Sequence, residues 1–187
     1  MTEEREREVL STVVDIVRES GYEALTMDAV AARAHCGKAT LYRQWHSKPR
    51  LVARAISAVG HASGNAPAAD TGSLRGDLHA RFLSMIDKCR EDTPLIAGLA
   101  HAALVDRELA RAMREALIET EMAELTAMVD RAVARGELTA RPAALAHLSQ
   151  LIFGAVLTRP LFEDAYADAD YLVRLLDEVL MPALTHT

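Results

Sequence analysis

Lys38, Thr40, Tyr42, Arg43, Gln44 and Lys48 stand close together in the chain. Arginine forks onto guanine O6 and N7, and glutamine pairs with adenine N6 and N7. Lysine, threonine and tyrosine donate to phosphate oxygens. From Ala29 to Ala69 there is no Asp or Glu, yet the span holds Arg33, Lys38, Arg43, Lys48, Arg50 and Arg54. The whole chain carries a formal charge of −6, so without these six cations the remainder stands at −12. A basic island on an acidic chain is an electrostatic footprint for phosphate. A solvated basic face on any small helical domain has the same charge pattern, so charge alone does not decide.

The elements that must position these side chains decide more. Thr26 is a good N-cap, and Ala29, Val30, Ala32 and Ala34 follow at helical spacing. His35-Cys36-Gly37 interrupts, and a second short helix is predicted from Lys38 to Gln44. Leu41 and Trp45 lie four apart and must share its buried face. At about 100° per residue, Ala39, Thr40 and Arg43 then point outward. Gln44 and Tyr42 lie on the flanks, and Lys38 sits at the start. Ser47 can cap the next helix, with Pro49 in its first turn. Two helices joined by a three-residue turn form the unit whose second helix enters the DNA major groove. The candidate DNA contacts are Thr26, Lys38, Ala39, Thr40, Tyr42, Arg43, Gln44, His46 and Lys48. Thr40 suits a phosphate or a thymine methyl, and His46 either touches phosphate or is simply exposed.

TLYRQWHSKPRL resembles the signature of the TetR family of bacterial transcriptional regulators, and VVDIVRESGYEALTMDAVAARA is similar to the family's first two helices. The match covers roughly residues 8 to 55. The rest resembles the family in helix pattern and in RGEL, Arg135 to Leu138. The resemblance implies an all-helical homodimer with an amino-terminal domain that binds operator DNA. It also implies release when a small molecule enters the carboxy-terminal domain, and phosphate contacts at Thr40, Tyr42 and Lys48. The chain departs from the family at the turn, where His35-Cys36-Gly37 replaces the usual Gly-Val-Ser, and at His46, which replaces a common proline. His35 therefore falls where a left-handed backbone is often wanted.

Composition agrees with an all-α fold. Of 187 residues half are hydrophobic but only 4% aromatic, so the core is Leu, Ala, Val, Met and Ile. No stretch runs to about eighteen uncharged apolar residues, so no membrane span is expected. MTEEREREVL has no signal-peptide core, which predicts a cytoplasmic protein. Cys36 and Cys89 are far apart and read as reduced packing residues. Nothing resembles a nucleophile elbow, a phosphate-binding loop, a dinucleotide turn or a zinc helix motif. No enzyme activity, cofactor or metal is therefore expected.

In chain order, helices are expected over 3–20, ended by Gly21, then 27–34, 38–44 and 48–61. The stretch Gly60 to Ser73 is rich in Gly, Ala, Ser, Asn and Pro and marks the domain boundary. Further helices are expected over 74–91, from Pro94 to Val105, over 106–135, over 143–158 with a stop at Arg159-Pro160, and over 171–184. Residues 1–60 form the expected DNA-binding domain, and 74–187 the ligand-binding and dimerisation domain. The candidates for an apolar ligand cavity are Phe82, Met85, Leu99, His101, Met113, Leu117, Met122 and Phe153, although Met and Phe at helical spacing also read as plain core. His79, His101 and His147 can orient a polar group. The helix 143–157 is apolar almost all round, so it must be covered on more than one side. Leu148, Ile152, Val156, Leu172, Leu175 and Val179 are the candidate homodimer contacts.

The expected function is that of a DNA-binding transcriptional regulator, a repressor released from operator double-stranded DNA by a small apolar effector. Two other readings stay open: an activator of the same fold, and a helical protein-interaction dimer without DNA specificity.

Overall fold

The computed structural model describes residues 1–62, 70–84 and 86–185, with the backbone alone for 59–62 and 86–91. Every regular element among them is helical: α1 (Glu3–Ala24), α2 (Met27–Arg33), α3 (Lys38–Trp45), α4 (Lys48–Ala62), α5 (Leu74–Leu83), α6 (Ile86–Val105), α7 (Arg107–Met113), α8 (Glu119–Ala134), α9 (Leu148–Glu163), α10 (Ala169–Leu175) and α11 (Met181–Thr185). Two π turns, Arg114–Ile118 and Leu176–Leu180, run α7 into α8 and α10 into α11. A 3-10 turn, Ala143–His147, leads into α9. The described residues thus make nine continuous helices, as the sequence led us to expect for an all-α chain.

Four helix boundaries differ from expectation, the first being that the helix expected over 74–91 ends at Leu83 and α6 begins at Ile86. Gly21 breaks α1 with φ 81°, but one more turn follows before Leu25. Pro94 does not open a helix; it lies inside α6 at an exposed position, where it removes one main-chain hydrogen bond. Arg159-Pro160 does not stop α9, which continues to Glu163 and ends where Asp164 turns left-handed at φ 51°. The buried Arg159 guanidinium explains the extension. It donates to Glu163 at 3.0 Å and to the Tyr166 carbonyl at 2.7 Å, pairs with Asp168 at 3.2 Å, and lies 4.2 Å from the centre of the Tyr171 ring. Those contacts tie the end of α9 to the start of α10.

The chain divides into two compact units. One comprises Met1–Ser63 and Pro94–Glu119, the other Gly64–Thr93 and Thr120–Thr187. In the first, Val9, Val13, Leu25, Val30, Leu41, Leu51, Val52 and Ala55 are wholly buried, together with Leu99 and Leu109 from α6 and α7. The second half of α6 and all of α7 thus share a core with the first four helices.

In the second unit, Leu78, Met128, Val129, Leu148, Leu176, Leu180 and Leu184 are wholly buried. Its one fully buried carboxylate among the described residues, Asp77, accepts from the Thr71 amide at 2.7 Å and hydroxyl at 2.9 Å and pairs with Arg131 at 3.1 Å. Burial pushes its pKa up, but the Thr71 hydrogen bonds and Arg131 outweigh that and leave it below the ordinary carboxylate value. In the RGEL segment, Gly136 takes φ 80°, and Glu137 accepts the Leu74 amide at 2.8 Å, which ties the segment to the start of α5.

By length and mean hydropathy, 1.2, the stretch Ala143–Glu163 meets the requirement for crossing a bilayer. Leu148 and Ile152 on it belong to the core of the second unit, while Leu151 and Phe153 are exposed. One side of this helix is core, and its other side carries an uncovered apolar face.

Candidate nucleic-acid interface

Thr26 caps α2 as expected, its hydroxyl oxygen accepting the Ala29 amide at 3.1 Å. The helix closes through the Cys36 amide onto the Ala31 carbonyl at 2.9 Å, with His35 left-handed at φ 47°. Histidine pays a steric cost in that region which glycine does not. Arg5, from the first turn of α1, donates to the carbonyls of Ala34 and His35, the second at 3.1 Å, and so satisfies carbonyls at the end of α2. Sequence reasoning missed Arg5, because its partners stand about thirty residues away and local spacing carries no trace of them. Cys36 is half-buried and packs against the core, as a small hydrophobe would.

Gly37 starts α3 with no side-chain cap. Leu41 is fully buried and Trp45 nearly so, and these two anchors fix the rotation of α3. Ala39, Tyr42, Arg43 and Gln44 are exposed on the remaining faces, and Thr40 is half-exposed beside them. His46 ends α3 at φ 68°, with its amide donating to the Tyr42 carbonyl at 2.9 Å and its Nδ1 3.1 Å from the same oxygen. Ser47 caps α4 only loosely, at 3.5 Å from the Arg50 amide, and its hydroxyl donates to Glu108 at 2.6 Å.

The basic island of the sequence is partly neutralised in space. Arg33 grips Glu19 through two nitrogens at 2.5 and 2.6 Å. Lys38 Nζ sits 2.8 Å from Asp28, and Arg54 is 3.5 Å from Glu6. Lys48 donates to the Glu23 carbonyl at 3.2 Å and lies 4.2 Å from the centre of the Tyr22 ring. Arg43 makes no ion pair among the described residues and projects from the exposed face of α3. With no ion-pair partner among the described residues to give up, such a cation is well placed for a guanine edge.

The candidate ligand residues are divided between the two units. Leu99 is wholly buried in the first, Met113 and Leu117 pack against the same core, and His101 is exposed. In the second unit Phe82 is buried, Met122 packs against the core and Phe153 is exposed. Met85 lies outside the described residues, as do Cys89 by its side chain and most of the 60–73 stretch. Of the candidate dimer residues, Leu148, Ile152 and Leu172 are buried in the second unit's own core. Val156 and Leu175 are half-buried, and Val179 is 45% exposed. On α9, Leu151, Phe153, Leu161 and Phe162 are exposed, as is Val179 in the turn after α10. Among the described residues no group of three or more His, Cys, Asp and Glu side chains is arranged to hold a metal ion.

Residues 10–55 match the family described as bacterial regulatory proteins, tetR family, and residues 68–179 match the tetracyclin repressor-like C-terminal domain. A DNA-binding transcriptional repressor TetR of Mycobacteroides abscessus is 34% identical over 183 residues, covering 96% of this chain and 93% of the relative. The uncharacterized HTH-type transcriptional regulator Rv1556 of Mycobacterium tuberculosis is 34% identical over 98% of this chain and 89% of its own. Among solved structures, the TetR family transcription regulator SCO0332 superposes with a TM-score of 0.70 at 27% identity, over 96% of this chain and 98% of that one.

Proposed function

The chain belongs to the tetR family of bacterial regulatory proteins, and from that premise we propose that it represses transcription as a cytoplasmic homodimer and leaves its operator when a small apolar effector binds. It is a DNA-binding transcriptional regulator of all-α fold. The observation that carries the reading is the exposure of Tyr42, Arg43 and Gln44 on a helix anchored from behind by Leu41 and Trp45. Arg43 and Gln44 read base edges, while Thr40, Tyr42 and Lys48 hold phosphates and set register. Repression is favoured because the relative from Mycobacteroides abscessus is described as a repressor.

Residues 1–60 read DNA, and 74–187 take the effector and pair with a second copy. Leu151, Phe153 and Val179 leave more apolar surface than one chain covers, which favours a homodimer. Leu99 and Leu109 share a core with Leu51 and Val52 of α4, so a shift of α6 or α7 reaches α4 directly. Two reading units must match half-sites about one DNA turn apart, roughly 34 Å, and a modest tilt of α4 spoils that match. The effector must then bind the mismatched state better; a tenfold loss of operator affinity needs about 1.4 kcal/mol of differential binding, and operator weakens the effector equally.

The test is titration of candidate apolar compounds with and without operator duplex. The expected result is weaker compound binding when operator is present. A compound bound with equal affinity in both cases is not the effector, and a screen yielding only such compounds removes the switch from this reading.

A further inference from the structure

Asp28, in the first turn of α2, holds the Lys38 ammonium between its two carboxylate oxygens at 2.8 and 2.9 Å. Two oxygens on one ammonium is also what a DNA phosphate offers. The Lys38 and Asp28 side chains are 50% and 71% exposed, so the pair stands in solvent, where such contacts are weak and open to exchange. Arg33 differs, being held by Glu19 through two parallel bonds. Lys38 is the first residue of α3 and Gly37 before it offers no side-chain cap, so Asp28 is the anionic partner that the helix start has in the free protein.

We propose that Asp28 is a specificity-determining residue: it occupies Lys38 in place of phosphate and so suppresses binding to DNA of the wrong sequence. The proposal rests on the DNA-binding reading above. Non-specific binding depends on cations meeting phosphates and on little else. In a complex with the right sequence, base-edge contacts from α3 set a fixed register in which Lys38 stays paired, whereas non-specific binding draws Lys38 onto whichever phosphate lies nearest. An anion beside Lys38 therefore costs the non-specific complex more than the specific one. Asp28 also favours the N-terminus of its own helix, where a negative side chain is stabilising. A purely structural role there predicts weaker DNA binding on its removal, the opposite sign.

The experiment compares wild type, Asp28→Asn, Lys38→Gln and the double variant. Each is titrated over a range of salt with a duplex recovered by selection from a random pool and with a scrambled duplex. Thermal unfolding confirms that each variant is folded. The expected result is a gain of about three- to tenfold for Asp28→Asn on scrambled duplex, a smaller gain on selected duplex, and a salt slope steeper by about one. In the double variant the gain disappears. Unchanged or weaker binding by Asp28→Asn overturns the proposal, as does a gain that survives removal of Lys38. Wild type that retains neither duplex overturns the DNA-binding reading as well, a result distinct from the others.

Discussion

The Tyr22 phenol donates to the Asp106 carboxylate at 2.7 Å, joining residues eighty-four positions apart. Tyr22 stands at the end of α1, and Asp106 caps α7 by accepting the Glu108 and Leu109 amides at 2.9 and 3.0 Å. Burial and then Asp106 push the Tyr22 hydroxyl well above its ordinary pKa, so it stays a proton donor. The Leu109 amide and then Tyr22 hold Asp106 below the usual carboxylate value. Glu108 accepts from Ser47 at the head of α4, so the start of α7 is bonded to both sides of the reading unit.

Tyr22→Phe should therefore lower stability by about 1–2 kcal/mol, read as a lower urea midpoint. Because the Asp106 pKa is depressed on folding, its contribution is complete above the unfolded value near 3.9 and is lost as pH falls through the folded value. The stability gap between wild type and Tyr22→Phe should close in that acid range. A gap independent of pH down to full protonation contradicts the bond.

Arg43→Ala should relax preference at one base pair per half-site, at a cost of about 1–3 kcal/mol. Lys48→Ala should weaken all sequences nearly alike and reduce the salt slope by about one. Lys48 also packs over Tyr22, so this variant should unfold at lower denaturant, while Arg43→Ala should not. Salt-dependent titrations and unfolding curves on both variants separate base reading from phosphate anchoring.

His35→Gly should raise stability by about 1 kcal/mol, because a non-glycine residue pays a steric cost at φ 47°. The Arg5 bonds involve the backbone carbonyls of Ala34 and His35, so they survive the change. A thermal midpoint at or below wild type removes the strain argument.

Phe153→Asp should split the dimer and reduce DNA affinity, since linked half-sites gain from effective concentration. Phe153 is 41% exposed on α9, so the charge does not enter the protomer's own core. Ile152→Asp is a poorer probe, because Ile152 is buried and the substitution would unfold the unit. Sedimentation with the wild type monomeric at micromolar concentration overturns this prediction.

The reading helices were legible because their signals are local: the Thr26 cap, the four-residue spacing of Leu41 and Trp45, and the break at His35. The left-handed turn at His35 was legible through the family resemblance, in which a glycine usually stands there. Charge pairing was not legible, since Glu19, Asp28 and Glu6 find Arg33, Lys38 and Arg54 only after folding. The acid-free span is real along the chain and partly neutralised in space. Arg159 was hidden for a related reason: beside Pro160 it looks like a helix stop, and only Glu163, Tyr166 and Asp168 make it a buried anchor. The assignment of Leu148, Ile152 and Leu172 to a dimer face rests on the family resemblance and on apolar spacing, and spacing does not distinguish a chain's own core from surface left over for a second copy.

Selection of bound duplexes from a random DNA pool, run in parallel with wild type and Arg43→Ala, tests sequence-specific reading by α3 most directly. The expected result is an enriched inverted repeat whose half-sites lie about one DNA turn apart, with one position per half-site relaxed in Arg43→Ala. A wild-type pool with no enriched sequence, or an identical enriched site from both proteins, would contradict it.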